Sequence, residues 1–242
     1  MLQSFDDIAD PSVGRPRVAA LRSELARAGL DGFIVPRADE HQGEYVPDRA
    51  ARLRWLTGFA GSAGTAVVLT ASAALFVDAR YTLQAQAQSD TALFEIREVP
   101  PAKLSVWLGE HAGKGARIGY DPKLHTAGQI EALEKALKPS DVKLVSVEEN
   151  LIDRTWQDRP ASPLGLVTLQ PEALAGQSAV AKLATLRADL SAAGEDAVVL
   201  TNADSIAWLF NLRGADVPRT PFALSFAVVE AKGPAVLYID PR

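Results

Sequence analysis

The sequence predicts an α/β fold, a mixed sheet with helices on both faces, laid down twice with the second copy truncated. One observation is a repeat: residues 17–35 reappear at 182–200, and Leu21/Leu186, Arg22/Arg187, Leu25/Leu190 and Gly29/Gly194 all differ by 165. A second is that later markers recur in the same order. Trp55-Leu56 answers Trp208-Leu209, and Phe76-Val77-Asp78-Ala79-Arg80 answers Tyr238-Ile239-Asp240-Pro241-Arg242. The third is the alternation of helix-period segments with short apolar runs, the pattern of helices layered on a sheet. The first copy runs on for about 75 residues beyond its Asp-x-Arg, whereas the second stops there. The chain therefore reads as a piece of something larger.

Pro16 opens a helix whose apolar positions Val18, Leu21, Leu25 and Ala28 recur at three and four residues, and Gly29 closes it. Phe33-Ile34-Val35 is a short buried strand stopped by Pro36. A polar loop from Arg37 to Asp48 leads to a short helix through Leu53, Trp55 and Leu56. Thr65–Thr70 and Ala74–Val77, joined by a small turn, read as an antiparallel hairpin, which makes the sheet mixed. Then come a helix at Leu83–Gln88, a strand near Phe94–Ile96, a helix at Lys103–His111 and a strand at Arg117–Gly119. A helix at Ala127–Leu137 and a strand at Lys143–Val147 complete the domain. Asp158-Arg159-Pro160-Ala161-Ser162-Pro163 has boundary composition, so the expected domains are 1–158 and 159–242. The second copy offers a helix at Gln177–Ala193, a strand at Ala197–Leu200, a helix at Asp204–Phe210 and hairpin strands at Phe222–Val229 and Ala235–Ile239. As a half-built sheet it should expose an unpaired edge and an uncovered apolar face.

With 242 residues, 48% of them hydrophobic, there is ample core material for two domains. A net charge of −5 gives no electrostatic reason to expect nucleic acid or anionic membrane as a partner. Having no cysteine excludes disulfides and thiolate metal sites and suits a reducing compartment. The start, Met1-Leu2-Gln3-Ser4-Phe5-Asp6-Asp7, is acidic rather than cationic and apolar, and a cytoplasmic location is expected.

Several motifs invite chemistry. Gly58-Phe59-Ala60-Gly61-Ser62-Ala63-Gly64-Thr65 is glycine-rich, but it lacks Gly-Lys-Ser/Thr and leads from helix into strand, the reverse of a phosphate loop. It is expected to be a structural turn. His41, His111 and His125 show no metal-ligand spacing, and a zinc site needs three or four converging ligands. No Gly-x-Ser-x-Gly elbow is present. Neither a zinc site nor a Ser-His-Asp hydrolase is therefore expected from these motifs. Asp78-Ala79-Arg80-Tyr81 follows a strand, where an arginine can clamp a carboxylate or carbonyl with its planar fork. The plainer alternative is that Asp78 caps the next helix and pairs with Arg80. Arg213 and Asp216 are expected to form a local ion pair, and His41 with Glu44 to lie in a solvated loop.

Asp39-Glu40-His41-Gln42-Gly43-Glu44-Tyr45, Leu56–Ala66, Asp78-Ala79-Arg80-Tyr81 and Glu149–Pro160 resemble the first domain of cytosolic three-domain Xaa-Pro aminopeptidases. Asp204–Val217 is similar to the most recognisable stretch of the second domain. That family belongs to the creatinase/prolidase/methionine-aminopeptidase group, and its first two domains share the creatinase N-terminal fold. The resemblance implies a parent enzyme that removes the N-terminal residue from peptides with proline in second place. In it two divalent metals, usually manganese, are held by aspartates, a histidine and glutamates on a C-terminal domain with no counterpart here. It implies that Arg80 contacts bound peptide, that the parent is often dimeric, and that these 242 residues alone are inactive. The competing reading is a stand-alone, non-catalytic peptide-binding or oligomerisation module that has lost the peptidase domain.

Overall fold

The computed structural model describes residues 9–100 and 103–242; the acidic start at Met1–Asp7 lies outside them. The chain divides into two compact units, one of Met1–Arg37 with Ala51–Arg159 and one of Ala38–Ala50 with Pro160–Arg242. The segment 38–50, which precedes the first copy's short helix in sequence, thus groups with the second unit.

The first unit is a six-stranded sheet. Its strands are β1 (Gly32–Pro36), β2 (Gly64–Leu69), β3 (Ala73–Asp78), β4 (Glu95–Val99), β5 (Arg117–Tyr120) and β6 (Lys143–Ser146), in the spatial order β4-β3-β2-β1-β5-β6. The neighbouring pairs β1/β2 and β2/β3 are antiparallel, while β3/β4, β1/β5 and β5/β6 are parallel, so the sheet is mixed as expected. Its helices are α1 (Gly14–Ala28), α2 (Arg52–Thr57), α3 (Thr82–Gln88), α4 (Leu104–His111), α5 (Ala127–Leu137) and α6 (Leu151–Thr155). The central strands bury both faces. Phe33 and Val35 pack with Leu21, Leu25, Leu56, Ile152 and Trp156, whereas Ile34, Val67 and Phe76 pack with Trp107, Leu108 and Leu137. A strand covered on both sides needs apolar residues at every position, which is why these runs do not alternate with polar ones.

Helix α1 ends where the sequence says it must. Gly29 takes φ 62°, and the Gly29 and Leu30 N–H groups donate to the carbonyls of Ala26 and Leu25 at 3.3 and 3.0 Å. Helix α5 opens with a reciprocal cap, Thr126 and Gln129 each accepting the other's backbone N–H.

The second unit holds β7 (Thr168–Leu169), α7 (Glu172–Ala175), α8 (Ala179–Ala193), β8 (Ala197–Leu200), α9 (Ala203–Leu209), β9 (Leu212–Arg213), β10 (Ser225–Glu230) and β11 (Ala235–Ile239). Its main sheet, β11-β10-β8, is antiparallel throughout and repeats the β3-β2-β1 half of the first sheet. The β7/β9 pair was not anticipated; both strands are two residues long and leave no periodic signal. The half-sheet does expose apolar surface. Val199 is 67% exposed and Tyr238 56%, while their first-unit counterparts Ile34 and Phe76 are buried by α4 and α5.

The repeat extends to side-chain chemistry. Arg22 donates to the carbonyls of Leu69 and Ser72 across the β2/β3 turn, and Arg187 does the same for Glu230 and Gly233 across the β10/β11 turn. One arginine per copy thus spans a hairpin turn, donating to a carbonyl on each side of it. Among the described residues, no helix is long and apolar enough to cross a membrane.

Candidate substrate-contact site

Strand β3 delivers Asp78 to the end of the sheet, and the chain turns there into a single 3-10 turn, Ala79–Tyr81. Asp78 caps that turn by accepting the Arg80 N–H at 2.9 Å, and it pairs with the Arg80 Nε at 2.8 Å. The same two bonds recur in Asp240 and Arg242. The capping alternative and the exposed cation are therefore one arrangement, with the aspartate fixing the root of an arginine whose side chain is 67% exposed. Arg80 also lies over the Tyr81 ring, 5.3 Å from its centroid. Donation from Arg80 holds the Asp78 carboxyl below the usual carboxylate range. Tyr81 is fixed in turn by a 2.7 Å bond between its hydroxyl and Ser62. That bond, which sequence reasoning did not find, lowers the Tyr81 phenol from its ordinary value.

Ser62 lies in the glycine-rich loop, and the loop is a structural turn. Thr57 Oγ1 accepts from the Phe59 N–H, and Gln88 Oε1 accepts from the Ala60 N–H. A Cβ on Gly58, at φ +83°, would stand 2.4 Å from the Gln88 carbonyl oxygen, so only glycine fits. The N–H groups of Gly58, Phe59 and Ala60 are thus spent on the protein, and the loop sets Ser62 against Tyr81. What this arrangement can do chemically is hold an anionic or carbonyl oxygen. A guanidinium that keeps its proton is an anchor, not an acid or base.

The remaining candidates fall elsewhere. His41 is buried in the second unit. Its ring stacks on Phe226 at 4.5 Å between centroids, and Nδ1 donates to the Thr201 carbonyl at 3.3 Å. The expectation of a solvated loop thus fails for His41, whereas Glu44 is exposed as expected. Asp39 is 2% exposed, accepts the His41 N–H through Oδ1 at 3.0 Å, and leaves Oδ2 without a partner. Burial raises its carboxyl above the ordinary value. Arg213 and Asp216 do not form the ion pair expected of them. Arg213 donates to the carbonyls of Ala207 and Leu212, and Asp216 accepts the N–H groups of Gly165 and Leu224. Backbone groups at the end of α9 and in the neighbouring loops take both side chains in preference to an attraction between two screened charges.

Among the described residues no side-chain cluster fits a dinuclear metal centre. His111 Nδ1 donates to the Trp107 carbonyl and His125 Nδ1 to the Asp121 carbonyl, and His41 is engaged as above. Among the described residues, no three metal-ligating side chains converge.

With this geometry in place, the comparisons are specific. Two family models, each described as Creatinase/Prolidase N-terminal domain, match residues 17–155 and 158–242. "Probable Xaa-Pro aminopeptidase P" of Talaromyces marneffei is 41% identical over 217 residues, covering 88% of this chain and 33% of the relative. The protein of the same name in Neosartorya fischeri is 39% identical, covering 93% of this chain and 35% of the relative. The chain thus spans about a third of the length of the curated relatives it matches. The X-prolyl aminopeptidase of Caenorhabditis elegans, described as a cytosolic enzyme with a di-nuclear active site, superposes with a TM-score of 0.87 at 32% identity. That match covers 94% of this chain and 39% of the solved one.

Proposed function

The chain belongs to the creatinase/prolidase N-terminal domain family, and on that premise we propose that it is the non-catalytic N-terminal part of a metal-dependent Xaa-Pro aminopeptidase. The observation that carries this is one of proportion: nearly all of the chain aligns with only a third of each aminopeptidase relative. In this reading the chain divides at 1–158 and 159–242, a boundary supported by the Pro160-Ala161-Ser162-Pro163 composition and by the two matched ranges. Its contribution is to position peptide, cap the cleft and support a homodimer. Arg80 is the peptide contact, held out by Asp78 and flanked by Tyr81. Hydrolysis of the bond before a second-position proline belongs to two divalent ions, manganese being the expected metal, held outside these residues. The reading places the protein in the cytoplasm, as its C. elegans neighbour is described.

The test is to read the coding frame past residue 242. A continuing frame with an Asp, Asp, His, Glu, Glu ligand set is the expected result. A stop codon at that point in the native gene would contradict the proposal.

A further inference from the structure

The glycine-rich loop Gly58–Gly64 has a counterpart in the second unit. Setting Trp55 on Trp208 places Gly58 on Asn211, Gly61 on Gly214 and Ser62 on Ala215. Gly58 and Asn211 both take left-handed backbone, at φ 83° and 53°, just after their short helices. The exit from the helix is therefore built alike in both copies. The serine hydroxyl is not shared, since the second copy carries an alanine in its place.

What the serine adds in the first copy is a fixed aromatic ring. Phe59 is 1% exposed, and a Cβ on Gly61 would run into its ring, so glycine lets the loop close over it. The Phe59 ring meets Tyr81 edge-on, with centroids 5.7 Å apart and planes at 74°. Ser62 Oγ holds the Tyr81 hydroxyl at 2.7 Å. Packed on the core and bonded at its tip, the Tyr81 ring cannot swing without losing one of these contacts. Arg80 Cζ lies 5.3 Å from the centroid of the same ring, while Asp78 takes its Nε at 2.8 Å. An exposed arginine otherwise samples many rotamers. Here the carboxylate fixes its direction, and attraction to the ring face fixes its height.

We propose that Tyr81, locked by Ser62, is the positioning residue for Arg80, holding the guanidinium ready for a carbonyl or carboxylate oxygen of the bound peptide. This rests on the reading of Arg80 as the peptide contact. Ser62 and Tyr81 do not touch the peptide themselves; both act through Arg80. A guanidinium already ordered loses less freedom on binding, so releasing it weakens peptide binding and leaves the hydrolytic step alone.

The test is a set of variants of the longer protein, assayed on an Xaa-Pro peptide with manganese present. Tyr81→Phe and Ser62→Ala should each raise KM roughly two- to tenfold and leave kcat within about twofold. Ser62→Thr, which keeps a hydroxyl, should restore KM. The double variant should be no worse than Tyr81→Phe alone, since both changes remove one bond, and neither should raise KM further in an Arg80→Ala background. If Tyr81→Phe does not fold, the two Ser62 variants decide alone. A KM raised by Arg80→Ala but not by Tyr81→Phe or Ser62→Ala overturns the positioning role and leaves the peptide contact standing. A KM unaltered by Arg80→Ala removes the contact, and this inference with it. An equal rise from Tyr81→Phe with and without Arg80 also overturns the proposal, because Tyr81 would then act on its own.

Discussion

Lys182 Nζ lies 4.3 Å from the centroid of the Trp208 ring and donates to the carbonyl of the same residue at 2.8 Å. Arg17 treats Trp55 in the same way, over the ring at 4.8 Å and bonded to its carbonyl. The two pairs are copies of one device, a cation on the long helix that ties down the end of the short one.

Lys182 is 4% exposed and also donates to Asn211 Oδ1 at 2.7 Å, so its removal leaves that buried oxygen without its donor and takes one of two donors from the Trp208 carbonyl. Lys182→Met should cost the chain about 2 kcal/mol, the scale for losing hydrogen bonds from a charged donor. Thermal unfolding checks this, and an unchanged midpoint would show that water replaces the ammonium.

Asp39 is a buried carboxyl with one orphaned oxygen, and burial raises it above its ordinary 3.8. A raised carboxyl favours the folded state below 3.8, and that advantage is lost as pH rises through the folded value. At pH 7 the ionised form is therefore a burden. Asp39→Asn, which keeps an acceptor for the His41 N–H, should raise the unfolding midpoint at pH 7, with the gain shrinking on acidification. A constant gain at all pH values would remove the carboxyl as its cause.

His125 runs the other way. Burial pushes its imidazole below the ordinary 6.5, against the pull of the Asp121 carbonyl and carboxylate. A lowered histidine binds its proton more readily unfolded, so its stability is present above 6.5 and is lost as pH falls toward the folded value. His125→Gln should flatten the pH dependence of stability in that window, as read by urea midpoints taken in steps of pH.

Arg80 is placed as an anchor, with the Asp78 pair setting its direction. In the longer protein, Arg80→Ala should raise KM for Xaa-Pro peptides several-fold more than it lowers kcat, because an anchor binds ground and transition states alike. Arg80→Lys should recover only part of the loss, since a point charge lacks the planar fork. An unaltered KM would exclude the contact.

Much of this was legible because both periodicities are strong. The α1 stripe Val18-Leu21-Leu25 and the hairpin runs around Val67 and Leu75 specify their elements, and the 165-residue offset matches Leu21 to Leu186 before any coordinate is known. The offset also pairs Arg17 with Lys182, but neither residue belongs to an apolar pattern, so the sequence does not show what the pair does. Other features had no local trace. The packing of His41 on Phe226 joins residues far apart in sequence, and loop pairing of that kind has no period to read. The Arg213–Asp216 expectation failed because proximity in sequence says nothing about which backbone groups nearby lack partners.

The most direct measurement is hydrolysis of an Xaa-Pro peptide with manganese added, by these 242 residues and by the longer protein side by side. The account predicts metal-dependent release of the N-terminal residue by the longer protein and no turnover above the metal-only control by the 242-residue chain. Robust turnover by the short chain would contradict it, because the hydrolytic centre would then lie among residues assigned here only to binding and assembly.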